Sequence, residues 1–424
     1  MTDARFRHSN DIGRKIDARL SEVLFCFALI VWLGASIFQT SLLRVMLPGL
    51  SEIKLIAIAV MIFAELLDQV DNKSPIEGIL VVAALAALSY GTGGSTIAQA
   101  IIVIFFSRNY NFNKLIRISL ATTIVCVGLI VASSFLGIVN DYTIYQGSRA
   151  RRFLGFHYTT FLSHFFLSIV LMYMFLRRIE CTYLEYAILI IIDCIIYIET
   201  DSRNSFMLAL AVILICVILK IKHKETIKSP IIATLVTCSY LLFFAVSFIF
   251  VYGVDLNTPF GQIVDQIASG RLTLAHRCLD LYGVSLFGVD TPWNAGQWID
   301  GYYYILGTHL SVDNAFFNII IDNGVVVFVI IMVLLTLTCY LAAKSNDAYL
   351  MIVFLVYAFH CVMDPQIFRL EYCTFLLFVG RLWTPWGAQV FSRVRKERNQ
   401  EKVPMNTYQA FPELSNMPNN LSRL

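Results

Sequence analysis

Residues 324–343 read GVVVFVIIMVLLTLTCYLAA, twenty positions without a charge. A helix of that length rises about 30 Å, the thickness of a bilayer's hydrocarbon core, so the stretch reads as a membrane span rather than a buried core helix. Working outward, the same pattern recurs. Apolar runs between polar breaks fall near residues 21–39, 52–68, 76–91, 94–107, 117–138, 157–176, 182–199, 205–220, 230–252, 324–343, 348–363 and 371–388. Hydrophobic residues make up 58% of the 424 positions and charged residues 14%, an imbalance too large for a soluble core to explain. A mean hydropathy of +0.71 agrees. The expected fold is therefore an all-α, polytopic integral membrane protein of about 12 transmembrane helices with one long extracytoplasmic loop.

Orientation follows from the loops. Cations cluster in alternate connections: Arg5, Arg7, Arg14, Lys15 and Arg19; Arg108, Lys114 and Arg117; Arg177 and Arg178; Lys220, Lys222, Lys224 and Lys228; Lys344; and Arg393, Arg395, Lys396, Arg398 and Lys402. By the positive-inside rule these connections and both termini are cytoplasmic. The chain then divides into a cytoplasmic segment 1–20, a helical bundle 21–388 and a basic, polar tail 389–424. The N-terminal twenty residues are too polar for a cleavable signal. Ten cysteines lie mostly within apolar runs, with no CxxC pair and no zinc-type spacing, and read as small core residues.

Residues 139–156, 200–204, 253–323 and 364–370 fall on the other side. Of these, 253–323 is far longer than a connection between packed helices needs, and such loops are usually functional. It carries TPWNAGQWIDGYYYILGTH, with Trp293, Trp298, Tyr302, Tyr303 and Tyr304. Those rings suit sugar faces, and equally the membrane interface.

Apart from Arg44 and Lys54 near the second span, the outer cations are all arginine: Arg149, Arg151, Arg152, Arg203, Arg271, Arg277 and Arg369. Each can pair locally with a carboxylate such as Asp141, Glu199, Asp201, Asp265 or Glu371. As a set, they point to an anionic ligand, because the planar guanidinium holds phosphate oxygens bidentately. Three constellations stand out. GSRARRFLGFHYTTFLSH places Arg149, Arg151, Arg152 and Gly155 before His157. ETDSRNS sets Arg203 in a short turn at a helix start, where Asp201 or Ser202 can cap and the free amides favour an anion. ASGRLTLAHRCLDLYG carries Arg271 and Arg277. Further on, SVDNAFFNIIIDNG puts Asp313 at a helix start beside Asn314, with Phe316 and Phe317 on adjoining positions. Asp313 reads either as a helix cap or as a base open to substrate.

At these residues the chain resembles the bacterial O-antigen and capsular polysaccharide polymerases and the related O-antigen ligases. The resemblance covers most of the chain: many spans, a short outer SR turn, then a long outer loop. The ligases carry a histidine, an asparagine-like residue and, nine positions on, a glycine; here that window reads Asp313, Asn314, nine residues, Gly324. Aspartate in place of histidine disfavours the ligase assignment. Polymerases bear outer-loop arginines followed at a set spacing by glycine, which Arg271 and Gly283 approach within one residue.

The resemblance implies a glycosyl transfer on the outer face of the bacterial cytoplasmic (inner) membrane. An undecaprenyl-pyrophosphate-linked glycan would move onto a lipid-linked repeat unit, without nucleotide-sugar or other cofactor. The partners implied are that lipid-linked oligosaccharide and the bilayer, with a flippase and chain-length regulators as candidates, and no nucleic acid. Arg203 and Arg271 are the candidate catalytic arginines for the pyrophosphate, and Asp313 the candidate base. Arg151, Arg152, His157, Arg277, Asn314, Trp298 and Tyr303 are the candidate substrate-binding residues. No acidic pair of DxD type occurs in the outer loops, so the chemistry is expected to be metal-independent. Two alternatives stand: a ligase, sharing the donor but differing in acceptor, and a lipid-linked oligosaccharide flippase or transporter. The last is supported by Asp193 within the seventh span, unless that residue pairs with Arg203.

Overall fold

Helices dominate the described chain, in this order: α1 Thr2–Gln39, α2 Leu50–Asp68, α3 Ser95–Phe106, α4 Phe112–Phe135, α5 Phe161–Arg177, α6 Tyr183–Thr200, α7 Arg203–Ile221, α8 Pro230–Thr237, α9 Ser239–Gly253, α10 Pro259–Ile267, α11 Arg271–Tyr282, α12 Ala315–Lys344 and α13 Ala348–His360. The computed structural model describes residues 2–68, 82–88, 95–146, 149–291, 297–299, 302–304, 312–366, 368–387 and 389–390. For residues 2–18, 68, 95, 146, 297–299 and 302–304 it describes the backbone alone. Most of the third expected span, Trp293 and most of the tail lie outside the described residues.

Among the described residues, five helices are long and apolar enough to cross a bilayer: Arg19–Gln39, Phe112–Phe135, Phe161–Glu180, Arg203–Ile221 and Ala315–Lys344. Helices α8 and α9, bent by 59° at Cys238, make a sixth if counted as one span. This is fewer than the dozen expected, for physical reasons. The run at 52–68 is helical but carries Glu52, Lys54, Glu65 and Asp68, and that at 182–199 carries Glu185, Asp193 and Glu199. The runs at 94–107 and 348–363 give shorter helices, and the last run becomes a 3-10 helix, Thr374–Trp383. Large apolar side chains stay exposed along helix faces, such as Ile124, Val125 and Leu129 on α4 and Ile191, Ile195 and Ile198 on α6. Unbroken apolar surface of this kind is what lipid contact requires.

Two ribbons interrupt the all-α pattern. Strands β1 Thr143–Gln146 and β2 Arg149–Arg152 pair antiparallel, so the 139–156 connection is a hairpin. Strands β3 Gln297–Ile299 and β4 Tyr302–Tyr304 pair within 253–323, a segment that also holds α10 and α11 and so has structure of its own.

The apolar run 324–343 is the second part of α12, which breaks at its first residue. Gly324 stands at φ 84°, ψ 170° inside the helix. A break frees backbone amides, which in an apolar bundle must find partners. The segment 285–289 crosses there and supplies them: Val325 and Val326 donate to the Ser285 and Leu286 carbonyls at 3.0 and 3.2 Å, and Val289 donates to Ile321 at 2.9 Å. The strands of backbone touch because both contact points are glycine. A Cβ on Gly324 would lie 2.4 Å from Gly288 N and Leu286 O, and one on Gly288 would lie 2.2 Å from Asp322 O.

Candidate active site

The break aims the first part of α12 so that its N-terminus meets the ends of α9, α11 and α13. Asn314 is the N-cap: its Oδ1 accepts from the Phe316 and Phe317 amides at 3.0 and 3.3 Å. Its Nδ2 donates to Ser247 Oγ on α9 (3.0 Å) and to the Val362 carbonyl just past α13 (3.2 Å). The Ala315 amide adds a bond to Cys361 O at 2.8 Å. Asn314 thus holds the helix start and ties it to α9 and to the end of α13. Phe316 and Phe317 are both buried.

With capping done by Asn314, the Asp313 carboxylate is left on the rim, 38% exposed. Arg271, at the first turn of α11, faces it with Nε 3.5 Å from Oδ2 and is itself 32% exposed. Asp265 Oδ1 accepts from the Leu272 and Thr273 amides at 2.9 and 3.2 Å, tying the start of α11 to the end of α10. Gly283, at φ 66°, closes α11. Arg277 lies exposed farther along that helix.

Behind this pair is a buried polar group that the sequence reading did not assemble. His164, in the first turn of α5, has Nε2 3.2 Å from Asp364 Oδ2, and its ring lies 5.1 Å from that of His360 at the end of α13. Arg369 donates through Nε to Glu371 Oε1 at 2.9 Å and through Nη1 to Gln366 Oε1 at 3.3 Å. Burial, opposed mainly by His360, pushes the Asp364 carboxyl up to about 6. A histidine inside an apolar helix was the available signal, since ionisable groups there are costly. Its partners sit two hundred residues away in sequence, and spacing could not reveal them.

The remaining arginines form a second group around the hairpin. Arg152 donates to Asp141 (2.9 and 2.5 Å) and to Glu199 (2.7 Å), so its charge is balanced by two carboxylates. Arg149 pairs with Asp201. Arg203 is 67% exposed and stands 3.6 Å from the same Asp201. Neither Asp201 nor Ser202 caps α7: Ser202 is the N-cap residue but makes no side-chain bond, and Asp201 ends α6 in the left-handed region. The anion beside Arg203 is therefore the chain's own Asp201. Asp193 is buried elsewhere on α6, and its Oδ2 has no hydrogen-bond partner among the described residues; the pairing with Arg203 does not form.

Arg151 differs from its neighbours. It is buried, and Nε donates to the Thr200 carbonyl at 3.0 Å, with no carboxylate at ion-pair distance among the described residues. Thr200 Oγ1 in turn meets Ser163 Oγ at 3.0 Å, one residue before His164 in the chain. His157 is half-buried, and its amide donates to Thr40 O at 3.0 Å, which docks the chain onto the turn after α1. Trp298 and Tyr303 stand opposite each other in the β3–β4 ribbon.

Fold and site together define a polytopic helical membrane protein with a charged, partly open site at one end of its bundle. Residues 186–332 match the family model described as O-antigen ligase, and over that stretch the chain is similar to the O-antigen ligase superfamily. The matched stretch contains Arg203, Arg271, Asp313, Asn314 and Gly324. No curated protein and no solved structure matches the chain.

Proposed function

We propose that the protein is a polysaccharide polymerase of the O-antigen, capsule or exopolysaccharide type, moving an undecaprenyl-pyrophosphate-linked glycan onto a lipid-linked repeat unit. The observation that carries this reading is the Arg271–Asp313 pair at the mouth of the buried group, inside the stretch shared with the ligase family. In the transfer, the acceptor hydroxyl attacks C1 of the donor glycan. The C1–O bond breaks, its electron pair goes to the lipid pyrophosphate, and the hydroxyl proton goes to Asp313. Arg271 meets the charge that grows on the pyrophosphate, and Arg151 is the second guanidinium available for it. Neither a nucleotide nor a metal ion is needed for this balance. The site faces away from the cytoplasm in the bacterial inner membrane, both termini lying inside, and Trp298 and Tyr303 are of the residue type that suits sugar faces.

The ligase reading shares this donor chemistry and is supported by the family description. Aspartate at 313 favours the polymerase. The two separate in cells lacking the protein. Loss of a polymerase leaves single repeat units attached to the final acceptor, whereas loss of a ligase leaves long chains on the lipid carrier. Electrophoresis of acceptor-linked and lipid-linked glycan, taken side by side, decides; the second pattern overturns the polymerase.

Asp313→Asn keeps size and hydrogen bonding but cannot take the proton. Its initial rate on isolated lipid-linked repeat units should fall by up to about 100-fold, the low end of general-base contributions. An undiminished rate removes Asp313 from the chemistry. Arg203→Ala should act more mildly, shortening chains in the ladder without abolishing them, because Asp201 keeps Arg149 as partner. Complete loss of polymer at normal protein level would place Arg203 at the reacting phosphates instead.

A further inference from the structure

Three ionisable side chains that the transfer does not use converge behind Arg271 and Asp313. His164 comes from α5, His360 from the last position of α13, and Asp364 from the segment that follows. Each offers one ligand atom, and the three atoms lie within 4.8 Å of one another. We propose that His164, His360 and Asp364 bind a divalent cation of the zinc class.

The donor set is the first argument. Two imidazole nitrogens and one carboxylate suit a borderline cation, and bonds of ~2.0–2.2 Å in a tetrahedron set ligand atoms about 3.4 Å apart. The His164 Nε2 to Asp364 Oδ2 edge is 3.2 Å, and closing the arrangement requires the His360 nitrogen, within 4.8 Å of both, to approach by up to about 1.4 Å. Unmet hydrogen bonding is the second argument. His164 and His360 are only 5% and 7% exposed, and His360 Nε2 and His164 Nδ1 lack hydrogen-bond partners among the described residues. A proton shared between His164 and Asp364 would satisfy that pair but leave His360 Nε2 buried and unmet, at a cost. A cation held by His164 Nε2, Asp364 and His360 Nε2 would give that last nitrogen its partner, whereas His164 Nδ1 stays unmet in either case.

Charge balance is the third. Arg271 and Arg369 both act on His164, and each faces a carboxylate, Asp313 at 3.5 Å and Glu371 at 2.9 Å. Adding Asp364 gives two guanidiniums and three carboxylates, and Lys54, which acts on Glu371 and Arg369 as well, brings the sum to zero around two neutral imidazoles. No net positive charge opposes a dication there. The ligands are far more buried than Arg271 and Asp313, so the ion acts as a strut that ties the start of α5 to the end of α13, with water or the second Asp364 oxygen completing its coordination. This inference stands apart from the choice between polymerase and ligase.

The test uses the full chain in detergent, stripped by chelator and re-equilibrated with Zn²⁺ or with Co²⁺ as a spectroscopic substitute. Wild type should regain one ion per chain, show the absorption of tetrahedral, nitrogen- and oxygen-ligated Co²⁺, and recover a thermal midpoint lowered by the chelator. Asp364→Asn and His360→Gln should each weaken binding by more than ~100-fold, beyond the range seen for residues that merely support a ligand. Ten cysteines offer other zinc ligands. Equal stoichiometry in wild type and both variants, or a sulfur-ligand Co²⁺ spectrum, therefore overturns the proposal. So does a wild-type chain that takes up no ion or whose midpoint ignores the chelator, a result that needs no variant to fold.

Discussion

Arg271→Ala should eliminate long polymer from cells while leaving single repeat units on the acceptor. The guanidinium sits at the first turn of α11, one-third exposed, facing a carboxylate across 3.5 Å, and it looks onto a cluster already holding Asp364. On the proposed reading a lipid pyrophosphate would meet Arg271, because the hairpin cations Arg149 and Arg152 are balanced by Asp201, Asp141 and Glu199 and Arg151 is buried. Removing one preorganised contact to developing charge typically costs ~2.7–4 kcal/mol in the transition state, or roughly 100- to 1,000-fold in rate. Arg271→Lys should restore only part of this, since ammonium keeps the charge but not the planar fork. The measurement is the glycan ladder together with the initial rate on lipid-linked repeat units, at matched protein level in the membrane. Normal chain lengths for Arg271→Ala would remove the arginine from the reaction and, with it, the main support for the proposed transfer.

The parts of this site that were legible in sequence are those set by local pattern. The run 324–343 announced a span, and Gly324 was already marked by the nine residues that separate it from Asn314. Arg271 and Asp313 were visible as a cation and an anion at two helix starts. Their meeting was not, because it depends on how a broken α12 leans against α9, α11 and α13. Arginine sidedness was a weaker guide. It grouped Arg152 and Arg203 with Arg271, yet the hairpin supplies its own carboxylates, and only three-dimensional pairing distinguishes a balanced arginine from an available one. His164, His360 and Asp364 were hidden for the same reason: each looks like an isolated polar residue in an apolar stretch until α5 and α13 are packed together. The long apolar helices among the described residues fall short of the dozen where charges interrupt a helix that is nonetheless built, as in α2, whose Glu65 is buried against Arg108 at 2.5 Å.

Gly324→Ala should do more harm to the folded chain than any substitution at the charged residues. The new Cβ would occupy a backbone conformation at φ 84°, ψ 170° that is essentially reserved for glycine, and it would lie 2.4 Å from Gly288 N and Leu286 O. The first effect costs about 1–3 kcal/mol. Overpacking against main chain that cannot swing aside costs a further ~1–3 kcal/mol. Relief requires either straightening α12 or expelling 285–289, and both break the hydrogen bonds of Val325, Val326 and Val289. Both also tilt the first part of α12, carrying Asp313 away from Arg271. The variant should therefore accumulate poorly in membranes, melt well below wild type in detergent and lose activity together with stability. Gly288→Ala should behave alike, because its Cβ meets Asp322 O at 2.2 Å from the other side of the same crossing. Gly128→Ala is the control: it lies inside α4 with nothing within 4 Å of an added Cβ, and alanine there favours the helix. Equal melting midpoints for Gly324→Ala and Gly128→Ala would mean that the crossing of 285–289 over α12 does not hold the break, and that Asp313 is aimed by the Asn314 cap alone.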